Sequence, residues 1–334
     1  MFCINEFEIM IITKTPLRVS FLGGGTDFPI FINNNNFGCV ISTTIDKFIY
    51  ISIKKHGELF NEKIRLNYSN AENTNNVQKI KNDIIRETLK FLKIKERIYI
   101  STVSDIPSNS GLGSSSSFCV GLLKGLYKFI GKKVTPLKIA RDAFHIEKNL
   151  LGKNVGYQDH YIAALGGLNF IKFYKNKIVN KKITDTKTIN ILNNSYLCFA
   201  TNKYRKAESI LSDQNRNFKI NELNLKNIKK LTLEGNIFLS KKKYNDFFYN
   251  INKSWEQKKL LSKKISNKSI DKAYDLCIKN NALGGKISGA GGGGFLSIFA
   301  KKKHHKNIIS AMKNIGYKHI AIKLESCGSK VIKF

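Results

Sequence analysis

The stretch Asp105-Ile106-Pro107-Ser108-Asn109-Ser110-Gly111-Leu112-Gly113-Ser114-Ser115-Ser116-Ser117 joins two runs of different character. Before it, residues 97–103 are rich in Ile, Tyr, Thr and Val, the composition of a strand. After it, Cys119, Leu122, Leu123, Leu126, Tyr127 and Ile130 recur at helical spacing, with Lys124 and Lys128 opposite. A helix opening near Ser115 behind such a loop aims unpaired backbone N–H groups and its positive end at one point, which suits phosphate. Glycine lets the backbone approach the ligand, and serine hydroxyls add hydrogen bonds and an oxygen ligand for Mg2+. The segment lacks Gly-Lys-[Ser/Thr], so it is not the common P-loop. The alternative is a serine-rich linker with an ordinary cap. The apolar helix that follows at once speaks against it.

Two further segments concentrate glycine. Leu22-Gly23-Gly24-Gly25-Thr26-Asp27 directly follows an extended apolar run, with Arg18 and Asp27 as its charged residues. The stretch from Gly284 to Phe295 has seven glycines in twelve positions, including Gly289, Gly291 and Gly292. Ordering so many glycines is entropically expensive. The segment is either a flexible hairpin or a tight loop meeting a ligand or another backbone at close range.

Working outward, residues 11–21, 39–54 and 168–174 read as strands, and Val77, Ile80, Ile84 and Phe91 recur at helical spacing. The polar, lysine-rich stretch 175–190 marks a domain boundary, dividing the chain into 10–185 and 186–334. Beyond it come a strand at 195–201, several helices between 206 and 281, the glycine-rich segment, a helix near 302–315 and closing strands. The order is α+β, without repeats.

Two carboxylates stand out of pattern. Residues 137–151 scan as a helix with Ala140, Ala143, Phe144 and Leu151 on one face, and Glu147 falls on that face. A carboxylate there is costly unless it is paired or binds a metal. Asp159 holds a similar position before Ile162 and Ala163. Two such acids near a phosphate loop suggest a Mg2+ ligand and a base; the bland alternative for Glu147 is a surface ion pair.

Composition bounds the partners. The 334 residues are 42% hydrophobic and 24% charged, which excludes wholesale disorder and leaves room for two domains. A net charge of +33 favours polyanions such as nucleotides, sugar phosphates, nucleic acid or anionic membrane, but AT-rich codon usage gives the same lysine excess. The six dispersed cysteines form no C-x-x-C pair and read as buried, reduced thiols. The histidines lack zinc-ligand spacing, and no run reaches the ~18 apolar residues of a membrane span. Residues 1–9 are acidic rather than signal-like, and Met10 is an alternative start. A cytoplasmic location is expected.

The Asp105–Ser117 stretch resembles the P-x-x-x-G-L-G-S-S-A-A signature of the GHMP kinases. Thr-Pro-Leu-Arg-Val-Ser-Phe-Leu-Gly-Gly-Gly-Thr-Asp at the N-terminal side and Lys-Ile-Ser-Gly-Ala-Gly-Gly-Gly-Gly-Phe at the C-terminal side complete the family's three motifs in order. Ser116 and Ser117 depart from the small apolar pair often found there. The resemblance implies an N-terminal domain like ribosomal protein S5 domain 2, a ferredoxin-like C-terminal domain, and an active site between them. By position it implies that Gly111, Leu112, Gly113, Ser114, Ser115 and Ser116 wrap the ATP phosphates. Ser115 and Glu147 would hold Mg2+. Asp159 would be the base, with Arg18 near the transferred phosphoryl group, stabilising its charge and holding Asp159 ionised. Asp27, with Gly24, Gly25, Thr26, Gly289, Gly291 and Gly292, would face the sugar. Within the family, Gly-Gly-Gly-Thr-Asp, Gly-Tyr-Gln-Asp and the C-terminal loop are most similar to the heptose 7-phosphate kinases, which serve nucleotide-activated heptose and surface polysaccharide synthesis. Arg205 stands where those kinases have the arginine of a Thr-Arg-x-Ala segment, and would meet the substrate's own phosphate.

The alternatives are a kinase of an unphosphorylated sugar (fucose or galactose type), a non-catalytic relative and a nucleic-acid-binding protein. Arginines and aromatics do not interleave in one basic stripe, and Arg18, Ser115, Glu147 and Asp159 are all present. The expected partners are ATP and a small sugar phosphate, with no nucleic acid or membrane, in a monomer or homodimer.

Overall fold

The computed structural model describes residues 10–108, 110–201 and 207–332. The first half of the chain supplies β1 (Ile11–Leu22), β2 (Phe37–Lys55), β3 (Ile64–Asn67), β4 (Ala71–Thr74), β5 (Ile98–Ser104), β6 (Leu168–Tyr174) and β7 (Ile178–Ile183) to one sheet. A second, four-stranded sheet holds β8 (Tyr196–Ala200), β9 (Ala282–Ile287), β10 (Phe295–Ala300) and β11 (Lys318–Ile320) in the order β11-β8-β10-β9. The last two strands, β12 (Leu324–Glu325) and β13 (Lys330–Ile332), then return to the first sheet, against β2 and β1. The structure therefore does not keep all of 186–334 apart from the first layer.

Helices α1 (Pro29–Asn35), α2 (Asp83–Phe91), α3 (Ser114–Phe129), α4 (Pro136–His145) and α5 (Gln158–Leu165) belong to the first half. They are followed by α6 (Thr186–Ser195), α7 (Ala207–Arg216), α8 (Phe218–Ser240), α9 (Tyr244–Lys259), α10 (Lys268–Lys279) and α11 (His305–Asn314). The mixed helix and strand content in two layers is the α+β architecture expected from the sequence. No helix among the described residues is long and apolar enough to cross a membrane.

β2 organises the first sheet. One edge pairs with β1, and the other is shared by β6, opposite Phe37 to Thr43, and β5, opposite Ile49 to Lys55. The β1–β2 register slips between Pro16 and Leu17, which fits a proline that has no N–H to give to the ladder. Just past the slip, β1 becomes buried on both faces, Leu17 and Val19 on one and Arg18 and Ser20 on the other. Phe21 packs edge-on against Phe299 of β10 at 5.3 Å and against Phe247 of α9 at 6.2 Å. One aromatic cluster thus joins the two sheets and fixes the cleft between them.

The polar, lysine-rich stretch 175–190 folds into β7 and the start of α6. β7 pairs only with β6 among the described strands, and its largely exposed, lysine-bearing face hides the alternation by which a strand is read. The periodicity from Val77 to Phe91 is not one helix. Asn82 caps α2 by accepting the Ile85 N–H at 3.0 Å, while Ile80 is extended, leaving a single 3₁₀ turn at Val77–Lys79.

Candidate active site

The loop from Asp105 ends on Gly113, which takes φ +76° as the first cap of α3, and no side chain caps the helix. The N–H groups of its first turn, at Ser114, Ser115 and Ser116, are thereby left for a ligand, and all three residues line a cleft between the two sheets. A Cβ on Gly113 would stand 3.0–3.3 Å from the Arg18 side chain and press on it, and the positive φ already favours glycine there.

Arg18 gathers three elements. Its backbone N–H donates to Leu112 O at 3.0 Å and its Nη1 to Gly111 O at 2.7 Å, tying β1 to the loop. Nε and Nη2 donate to Asp159 Oδ1 and Oδ2 at 2.7 and 2.5 Å, a two-pronged pair. Arg18 is 4% exposed, so this pair orients Asp159 from below while the carboxylate remains at the cleft.

Glu147 lies behind Ser115 and Ser116. It falls in a single π turn, Ile146–Leu150, that continues α4, and it is fully buried. Oε1 accepts from the Ser115 hydroxyl; Oε2 accepts from Ser116 Oγ at 2.8 Å and His160 Nε2 at 2.7 Å. Burial alone would raise its pKa, but His160, Ser115 and Lys153 outweigh it and hold the carboxyl down to about 2. An ionised carboxylate oxygen beside a hydroxyl at an uncapped helix start is a hard, anionic donor set, and it fits Mg2+.

Asp27, which also lines the cleft, is 1% exposed and accepts the N–H groups of Gly25 at 3.0 Å and Gln158 at 3.1 Å. Burial nevertheless pushes it up to about 6. The ammonium of Lys258, from α9, reaches the cleft and donates to Gly289 O. Burial, with Arg18 nearby, brings it down to about 8. Gln158 Oε1 and Gln214 Nε2 belong to cleft-lining residues and have no hydrogen-bond partner among the described residues.

The glycine-rich C-terminal loop is a tight crossing rather than a flexible hairpin. Gly289, at φ +72°, lies so close to Gly111 that a Cβ would meet Gly111 O at 2.5 Å, and a Cβ on Gly111 would meet Ser288 O at 2.7 Å. The two loops close on one another backbone to backbone.

Of the residues singled out in the sequence, Arg18, Gly24, Gly25, Asp27, Gly111, Gly113, Ser114, Ser115, Ser116, Asp159, Gly289 and Gly291 line this cleft. Three do not. The Thr26 hydroxyl is taken up by Gly23 O of its own turn and by the backbone of Cys39 in β2. Leu112 is a core side chain, and Gly292 donates its N–H to Ile265 O at 2.7 Å. Arg205 lies outside the described residues. Lys258 and Gln214 lie outside the motifs read from the sequence, and Gln158 was read only as part of Gly-Tyr-Gln-Asp. The phase of Glu147 and Asp159 had a signal; a single lysine among 57 Lys and Arg had none.

The arrangement has known counterparts. The family model for the GHMP kinases N terminal domain matches residues 75–167, and that for the GHMP kinases C terminal region matches 239–318. The chain is 31% identical to the D-glycero-alpha-D-manno-heptose 7-phosphate kinase of Campylobacter jejuni, over 91% of this chain and 94% of that protein. Its fold is shared with a D-glycero-D-manno-heptose 1-phosphate kinase from Bacteriodes thetaiotaomicron (TM-score 0.79, 21% identity, 97% and 99% of the two chains). It is shared also with Lactococcus lactis galactokinase complexed with galactose (TM-score 0.77, 16% identity, 97% and 95%). With both family models matched in order and a relative aligned along nearly its whole length, the chain belongs to the GHMP kinases.

Proposed function

We propose that this GHMP kinase transfers the γ-phosphoryl group of ATP to the anomeric hydroxyl of D-glycero-D-manno-heptose 7-phosphate, giving the 1,7-bisphosphate and ADP. The observation that carries the reading is the Arg18–Asp159 pair at the cleft, between the uncapped start of α3 and the buried carboxylate of Asp27. The C. jejuni relative named as a heptose 7-phosphate kinase supports the choice of acceptor.

In this reading residues 10–185 carry the nucleotide side and 186–334 complete the acceptor side. The phosphates lie on the N–H groups of Ser114 to Ser116. Ser115 and Glu147 hold Mg2+, which when bound neutralises phosphate charge. Asp159, held by Arg18, takes the proton of the anomeric hydroxyl as its oxygen bonds to the γ-phosphorus and the bridge to ADP breaks. Each Asp159 oxygen keeps a second lone pair beyond its bond to Arg18, so the pair does not block proton uptake. Asp27, Gln158 and Gln214 receive sugar hydroxyls. Lys258 and Arg205 supply cationic groups for an anionic acceptor.

The test is a steady-state comparison of kcat/KM for heptose 7-phosphate, hexose 6-phosphates, free heptose, fucose, galactose and mevalonate. The reading expects the heptose 7-phosphate to lead by at least about 100-fold, the scale of one or two charged contacts. A free sugar in the lead would replace it with a fucose- or galactose-type kinase.

A further inference from the structure

We infer that His160 is a positioning residue for the metal site: with Ser116 it fixes one oxygen of Glu147, so that the other is presented beside Ser115. The inference rests on the reading of Glu147 and Ser115 as Mg2+ ligands.

The two oxygens of Glu147 have different surroundings. Oε2 is held from two sides, by His160 Nε2 at 2.7 Å and Ser116 Oγ at 2.8 Å. Oε1 is turned toward Ser115, whose hydroxyl lines the cleft, with Lys153 Nζ at 3.8 Å. Two donors satisfy Oε2 and leave it no role toward a cation, while Oε1 shares its side with a second oxygen ligand. His160 cannot easily turn away. It is fully buried, with its ring packed edge-on against Phe144 at 5.7 Å. Its Nδ1 has no partner among the described residues, so Nε2 is the working end and carries the proton donated to Glu147.

The placement also links two parts of the site. His160 follows Asp159 on α5, so one turn sends the acid to Arg18 at the cleft and the imidazole to Glu147 behind it. A shift of α5 would move base and metal carboxylate together. Groups that orient a ligand from behind are worth about 10–100-fold in metal affinity.

The test uses the two amide isosteres of histidine. In His160→Gln the side-chain amide can occupy the place of Nε2 and still donate to Oε2; in His160→Asn it reaches only the place of Nδ1. Binding of a non-hydrolysable ATP analogue is titrated by calorimetry against Mg2+, and repeated in EDTA. We expect His160→Gln within about threefold of wild type in the Mg2+ midpoint, His160→Asn shifted upward by about 10-fold or more, and metal-free nucleotide binding alike in all three. Equal midpoints for wild type and His160→Asn, or equal shifts in both variants, would overturn the inference. Should His160→Asn fail to fold, Ser116→Ala removes the other Oε2 donor with little change of volume. It should raise the midpoint two- to fivefold, and an unmoved midpoint would equally overturn the inference. Wild-type nucleotide binding that ignores Mg2+ would instead remove the metal reading itself.

Discussion

The guanidinium of Arg18 grips both oxygens of Asp159, at 2.7 and 2.5 Å, and spends its remaining Nη1 on Gly111 O at 2.7 Å. One side chain thereby connects the first strand, the phosphate loop and the helix of the proposed base. Asp159→Asn should keep the fold and nucleotide binding but lower kcat by about 10²–10⁴, the usual scale for a general base. Arg18→Lys keeps the charge but loses the fork, and should also depress kcat more than it raises KM for ATP. Turnover of Asp159→Asn within a few-fold of wild type would reduce Asp159 to an orienting group.

Glu147→Gln replaces an anionic ligand with a neutral amide, a poorer partner for a hard cation. Its N–H2 would also confront the hydroxyls and imidazole that now donate to it. Titrating Mg2+ against initial rate should show the midpoint raised by at least about 10-fold. An unchanged curve would make Glu147 a purely structural acid.

Asp27 links stability to pH. Burial keeps its proton in the native state up to about 6, whereas its ordinary value is 3.8. Between those values the native chain binds more protons than the unfolded one, so stability falls as pH rises and levels off above about 6. Denaturant melts of wild type and Asp27→Asn at pH 4 and pH 7 should therefore differ. The variant should gain about 2–3 kcal/mol relative to wild type on going to pH 7. A constant difference across that range would mean that Asp27 is not the group responsible.

Gly113→Ala and Gly131→Ala separate backbone strain from the clash at the site. Both glycines have positive φ, +76° and +70°, so each alanine costs about 1–2 kcal/mol in thermal or chemical melts. A Cβ at Gly131 meets nothing within 4 Å, whereas at Gly113 it presses on Arg18. Only Gly113→Ala should lose turnover, by about 10-fold or more, because displacing Arg18 releases Asp159. Equal activities in the two variants would show that the contact with Arg18 is unimportant.

The residues that were legible in the sequence are those whose type conflicts with their surroundings. Glycines and serines between a strand and an apolar helix mark the phosphate loop, and Glu147 and Asp159 announce themselves as acids in apolar phase. Ser116 was legible as a member of the phosphate loop and as a departure from a small apolar residue; the structure gives its hydroxyl a partner in Glu147. Lys258 sits in a helix whose other lysines are exposed or half-buried, so its type carries no sign of its burial. Lys286, in β9, is equally inconspicuous, yet burial and Lys258 pull its pKa well below the lysine range. The partners of Glu147 in its π turn, Ser115 and Ser116 of α3 and His160 of α5, are set by tertiary contacts that no local pattern reveals, and a histidine on an apolar helix face is commonplace. Thr26 shows the opposite case: its motif position suggested substrate, but its hydroxyl ties its own turn to Cys39 of β2.

The central claim is that the cleft moves a phosphoryl group onto the anomeric oxygen of a phosphorylated heptose by way of Asp159. It is tested most directly by ³¹P NMR of the wild-type reaction with ATP, Mg2+ and D-glycero-D-manno-heptose 7-phosphate. The account predicts a new phosphate resonance split by the anomeric proton, growing in step with ADP, with the 7-phosphate signal retained and the new signal suppressed in Asp159→Asn. ADP released with inorganic phosphate alone, or an anomeric ester formed as fast by Asp159→Asn as by wild type, would contradict it.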